Sequence, residues 1–96
     1  MSELGKEVRV RVFISGKVQN VGFRNATRAR AERFDIKGFV KNLSNGGVEA
    51  LFQGEAKAID RMIEFCKMGP FGAKVIEVKI QWEEYKDEFK DFKILN

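Results

Sequence analysis

Histidine is absent from this 96-residue chain, and cysteine and proline each occur once. Without histidine a phosphohistidine intermediate has no candidate. The one cysteine, Cys66, falls on the apolar face of a helical stretch and reads as a small core residue, so a cysteinyl-phosphate intermediate lacks a candidate too. A single cysteine also excludes an internal disulfide and points to a reducing, cytoplasmic compartment. The sequons at Asn25 and Asn42 then carry no meaning. No apolar run approaches the roughly 20 residues that a membrane span needs. The charged, glycine-containing start Met1-Ser2-Glu3-Leu4-Gly5-Lys6 is not a signal peptide. No acidic residues cluster at metal-ligand spacing. Asp35, Glu49, Glu55 and Asp60 are spread over several elements with no motif, so neither a metal nor another cofactor is expected. Linkers, internal repeats and low-complexity tracts are missing as well, and one domain over residues 1–96, with its core at about 8–95, accounts for the length.

What the chain does have is patterning. Val8, Val10, Val12 and Ile14 alternate with Arg9, Arg11, Phe13 and Ser15, the period of a strand with one buried face. From Phe23 the apolar and small positions fall at Phe23, Thr27, Ala31 and Phe34, which is helical spacing. Ile36 to Asn42 reads as a second strand, Ser44-Asn45-Gly46-Gly47 as a tight turn, and Val48 to Gln53 as a third strand. Glu55 to Lys67 is helical, with Ile59, Met62, Ile63 and Cys66 on one face, and Gly69-Pro70 stops it. Lys74 to Trp82 alternates Ile76, Val78, Ile80 and Trp82 against Val75, Glu77, Lys79 and Gln81. A short last strand holds Phe89, Phe92 and Ile94. The order β-α-β-β-α-β plus one short strand is that of an α+β, ferredoxin-like split βαβ sandwich. Two helices are expected on one face of an antiparallel sheet, the other face being partly wet.

The most informative stretch is Gly16-Lys17-Val18-Gln19-Asn20-Val21-Gly22-Phe23-Arg24, between the first strand and the first helix. A glycine-bounded loop feeding a helix start gathers unpaired backbone N–H groups in front of the positive end of the helix dipole, the physical recipe for holding a phosphate. Arg24 lies in the first helical turn, where a cation is unfavourable beside that dipole. Its guanidinium is therefore expected to turn to an anion. A net charge of +4 and a pI near 9.4 favour anionic partners without separating nucleic acid from a small phosphorylated molecule.

The same stretch closely resembles the signature of the acylphosphatase family: glycine, a basic residue, Val-Gln-Gly-Val, two further residues and Arg. A second block of that family, glycine, an aromatic, Val, a basic residue and Asn, is matched at the family's separation by Gly38-Phe39-Val40-Lys41-Asn42. Ser44 to Glu49 and Gln53-Gly54 resemble its hairpin and third strand, so the resemblance runs from Val8 to Leu95. The chain departs from the pattern at Asn20 and Asp35, where glycine is usual. Asn and Asp are the residues other than glycine that best tolerate positive φ.

The resemblance implies hydrolysis of small acyl phosphates to a carboxylate and inorganic phosphate by metal-independent attack of a water. It implies that the loop from Gly16 through Phe23, with backbone amides of Lys17 to Phe23, and Arg24 hold the phosphate while Asn42 orients the water. Inorganic phosphate would be product and inhibitor, and the protein a monomer with no membrane partner. Such a sparse site suits this chemistry. Phosphoryl transfer through a loose transition state asks mainly for positioning and charge stabilisation, and a carboxylate leaves with little help from a general acid. On the residues alone, Asn42 also reads as a turn-forming asparagine, Arg24 as a solvated helix-surface residue, and the nine phenylalanines as core. Two other classes of function stand beside the enzyme: a phosphate- or RNA-binding module of this fold without turnover, and a degenerate family member. Val48-Glu49-Ala50-Leu51-Phe52 lacks the basic, glycine and aromatic sequence of an RNA-recognition strand, so nucleic acid is disfavoured.

Overall fold

A computed structural model describes residues 6–95; the opening Met1 to Gly5, part of the stretch read above as no signal peptide, lies outside the described residues. Seven elements follow one another: β1 (Glu7–Lys17), α1 (Phe23–Arg33), β2 (Lys37–Asn42), β3 (Val48–Glu55), α2 (Ala56–Met68), β4 (Lys74–Glu83) and β5 (Phe92–Leu95). The five strands form one sheet in the order β4-β1-β3-β2-β5. Val10, Val12 and Ile14 of β1, Val40 of β2 and Val48, Ala50 and Phe52 of β3 bury one face. Phe23, Thr27 and Ala31 of α1 and Ile59, Met62, Ile63 and Cys66 of α2 bury the apolar stripes that cover it. Each Val, Ile, Phe or Met among them fully withdrawn from water contributes about 1.5–3 kcal/mol, so this layer holds the fold together.

The expected antiparallel sheet is in fact mixed. β1 pairs antiparallel with β3 and β4, and β3 with β2, but β5 lies parallel to β2, with Gly38 opposite Phe92 and Val40 opposite Ile94. The cause is the crossing of residues 84–91. β4 occupies one edge of the sheet and runs opposite to β1; the chain reverses, crosses the helix-free face and reaches the far edge, where it runs with β2. Phe89 belongs to this crossing segment and not to the last strand. Its ring meets Phe39 edge-on at 6.2 Å between centroids, and the Arg9 guanidinium lies 5.4 Å from its centre.

β4 also departs from simple alternation. Ser15 pairs with Glu77 but Gly16 with Val75, so Ile76 is the extra residue of a β-bulge. Val75 therefore packs against the core and Ile76 is 78% exposed, the reverse of their expected places. Gly16 permits this junction: its φ is 122°, and a Cβ there would sit 2.1 Å from the Lys74 carbonyl oxygen.

Candidate active site

The end of β1 sets the site's position. Gly16 and Lys17, read above as loop, are paired with β4, and the chain leaves the sheet only at Val18. Val18 and Phe23 are 1% and 2% exposed and anchor the two ends of the connection in the core. Between them Asn20 has φ 62° and Gly22 φ 77°. The left-handed region is thus occupied at Asn20, where asparagine replaces the more usual glycine, and Asp35 adopts it likewise at φ 58°. Short polar side chains tolerate that conformation best after glycine.

Gly22 is the N-cap of α1, no side chain caps the helix, and no acidic residue lies in its first turn. The first intrahelical bond runs from Ala26 N–H to Gly22 O at 3.0 Å. The N–H groups of Phe23, Arg24 and Asn25 consequently have no acceptor within the helix. These three residues line a cavity of about 190 Å³ together with Val18, Asn20, Gly22, Asn42 and Ile94. A helix start with three donors unused within the helix and an arginine thus line one small space, an arrangement suited to a tetrahedral dianion.

Of the residues singled out in the sequence, the structure brings Val18, Asn20, Gly22, Phe23, Arg24 and Asn42 together around this cavity. Gly16, Lys17, Gln19 and Val21 do not line it. Gly16 and Lys17 serve β1, Val21 packs against the core, and Gln19 turns its amide to the β2–β3 hairpin. Two lining residues were missed. Asn25 could have been found from its place in the first helical turn; Ile94 arrives only through the parallel pairing of β5 with β2.

Arg24 is half-buried, and its Nη1 donates to the carbonyl oxygen of Leu95 over a long 3.4 Å. Asn42 ends β2 opposite Val48. The turn that follows it is made by another asparagine: Asn45 Oδ1 accepts the Gly47 N–H at 2.9 Å. The turn-forming role considered above for Asn42 thus belongs to Asn45.

A larger cleft, about 440 Å³, opens between the end of β1, the β2–β3 hairpin and β4, with Glu77 and Lys79 on its wall. It contains no helix start and is lined by a carboxylate as well as a cation, so it offers no comparable place for a phosphate. Elsewhere on the helix-free face Arg11 donates to Glu83 at 2.7 Å and to Glu49 at 2.5 Å, and Arg9 to Glu83 at 3.1 Å and to Glu88. The hydrogen bond from Arg11 holds the Glu83 carboxyl below its usual range, and the bond to Glu83 raises Arg11 in turn. Burial pushes the Cys66 thiol up to about 12, leaving it unionised in the core. Among the described residues no three His, Cys, Asp or Glu side chains converge, and no helix is long and apolar enough to cross a membrane.

The model of the acylphosphatase family matches residues 10–94. An acylphosphatase from Pyrobaculum aerophilum is 50% identical over 88 residues, 91% of this chain and 93% of that protein. The solved structure of an acylphosphatase from Coxiella burnetii superposes with a TM-score of 0.87 at 38% identity, covering 93% of both chains. The crystal structure of acylphosphatase from Bacillus subtilis gives 0.88 at 29% identity, covering 93% of this chain and 99% of that one. The family model and these likenesses agree: the chain belongs to the acylphosphatase family.

Proposed function

We propose that this chain hydrolyses small acyl phosphates, with the α1 start and Arg24 holding the phosphoryl group and Asn42 orienting the attacking water. Family membership makes it a hydrolase; the assignment of roles rests on one observation, the gathering of the α1 terminus, Arg24 and Asn42 around a single small cavity. In the reading we favour, the phosphoryl oxygens accept from the backbone N–H groups of the first helical turn and from the Arg24 fork, which can engage two oxygens at once. The Asn42 amide accepts a hydrogen bond from the water and sets it in line with the departing carboxylate. The bond from phosphorus to the carboxylate oxygen breaks as the bond to the water oxygen forms, and both water protons end on the phosphate, giving a carboxylate and dihydrogen phosphate. Charge in a loose transition state accumulates on oxygens that the helix terminus and Arg24 already face.

The working unit in this reading is the monomer, and product phosphate would compete for the same cradle. The single buried thiol supports a reducing, cytoplasmic setting. The RNA-binding alternative loses its platform: the helix-free face is crossed by residues 84–91, and Arg9 and Arg11 are engaged by glutamates. Release of phosphate from acetyl phosphate, with and without a chelator, tests the reading. We expect turnover that a chelator leaves unchanged and that added phosphate inhibits competitively. Activity lost to the chelator and restored by Mg²⁺ would overturn the mechanism; phosphate binding without turnover would make the chain a binding module.

A further inference from the structure

Gln19 lies within the loop, yet its side chain is turned away from the cavity. Its Nε2 donates to the carbonyl oxygen of Leu43 at 2.7 Å and to that of Gly47 at 2.9 Å. A carboxamide has two N–H donors, so both are spent on the β2–β3 hairpin and neither is left for a phosphate. The two acceptors close the turn that follows Asn42. Leu43 N–H donates to Gly47 O at 2.9 Å, and Gly46 N–H to Leu43 O at 3.2 Å. Leu43 follows Asn42 in the chain, and Gly47 precedes Val48, the residue paired with Asn42 across the ladder. The turn itself has little freedom, since Gly47 is buried and a Cβ there would meet the Ile14 carbonyl oxygen at 2.8 Å.

We propose that Gln19 is a positioning residue that locks the phosphate loop to the hairpin and so fixes the place of Asn42 relative to the bound phosphate. This rests on the reading of Asn42 given above. Without Gln19 the loop keeps its anchors at Val18 and Phe23, so the cradle itself persists. The β2 end, however, is no longer tied to it. A small misplacement of a group that acts in the transition state lowers turnover far more than binding.

Four variants test this: Gln19→Met, which keeps the length and removes both donors, Gln19→Glu, Asn42→Ala, and Gln19→Met combined with Asn42→Ala. With acetyl phosphate as substrate and inorganic phosphate as inhibitor, Gln19→Met should lower kcat on the order of tenfold to a hundredfold with phosphate inhibition nearly unchanged. In the Asn42→Ala background it should lower kcat little further, because it acts through the residue already removed. Gln19→Glu sets a carboxylate oxygen against two carbonyls at neutral pH and should be the worse variant. Protonation restores one donor, so its kcat relative to wild type should recover as pH falls through the carboxylate range, while Gln19→Met shows no such recovery. NMR of the Asn42 side-chain amide should show a displaced resonance in Gln19→Met. Phosphate inhibition weakened as much as kcat would make Gln19 a substrate ligand, and fully additive losses would break the link to Asn42; either overturns the proposal. If Asn42→Ala alone leaves kcat intact, the water-orienting role falls. The displaced Asn42 resonance then still decides for the tie, and an undisplaced one against it.

Discussion

Arg9 and Arg11 on the helix-free face and Arg24 beside the α1 start carry the same guanidinium into opposite surroundings. Arg9, 7% exposed, donates to two glutamates and lies against Phe89, while Arg11 bridges Glu83 and Glu49. Among the described residues Arg24 meets no carboxylate, only the Leu95 carbonyl oxygen at 3.4 Å, and it stands where the helix dipole opposes a cation. The first two are compensated by the fold, and their charge is used up within it. In the reading proposed above, the third is left for a ligand that brings its own negative charge. Position in the fold, and not residue type, separates a structural arginine from a functional one.

The largest effect expected is on Arg24. Arg24→Ala and Arg24→Lys should each lower kcat/KM by at least the order of a thousandfold, the upper range for losing one preorganised donor, with weaker inhibition by phosphate. Lysine fails here because it offers a point charge in place of a planar fork. The melting temperature should hold or rise slightly, since the cation at the helix start opposes the dipole by about 0.3–1 kcal/mol. A folded Arg24→Ala variant with wild-type kinetics would erase the contrast.

Asn42→Ala should come next, lowering kcat on the order of a hundredfold while the phosphate inhibition constant stays put. Stability should change by less than about 1 kcal/mol, because Asn45 makes the turn. A fall in melting temperature with kcat retained would return Asn42 to a structural role.

Arg9→Ala should do the reverse of Arg24→Ala. We expect a loss of about 2 kcal/mol in denaturant unfolding with kcat per folded molecule unchanged. That lies below the 3–5 kcal/mol typical of a broken buried pair, because Glu83 keeps Arg11 and Glu88 is half exposed. Arg9→Met, which keeps the stem across the sheet, should cost less. An activity loss in either variant would show that the two faces are not independent.

The smallest effect is a dependence on pH. The Glu83 carboxyl is held below its ordinary range in the folded protein, so its contribution is present above the unfolded carboxylate pKa of about 4.3. It is lost as pH falls through the depressed folded value. Melting temperature in wild type should therefore decline at acid pH more steeply than in Arg11→Met, and the gap between the two should narrow as Glu83 protonates. A gap that is constant with pH would mean that the pair does not couple folding to protonation.

The sequence by itself determined most of the local structure. Alternation placed β1, and helical spacing placed α1 and α2, because a side chain's face follows from a period of 2 or 3.6 that the chain carries in itself. Gly22 and Arg24 of the candidate site were legible for the same reason, since its helix-start half is built from neighbours in the chain. Their roles were not legible to the same degree. That Gln19 faces the hairpin and that Ile94 lines the cavity depend on residues far apart in the chain coming into register, whereas the Asn45 turn is a contact between residues two apart and was legible as such. The parallel β5 and the inversion of Val75 and Ile76 likewise arise from pairing, since a strand's partner and a bulge opposite Gly16 leave no trace in the periodicity of either segment. The same holds for the arginines. The sequence does not show which carboxylates these arginines meet, and only the tertiary structure, by bringing Glu83, Glu49 and Glu88 to Arg9 and Arg11, decided which charges the fold would consume.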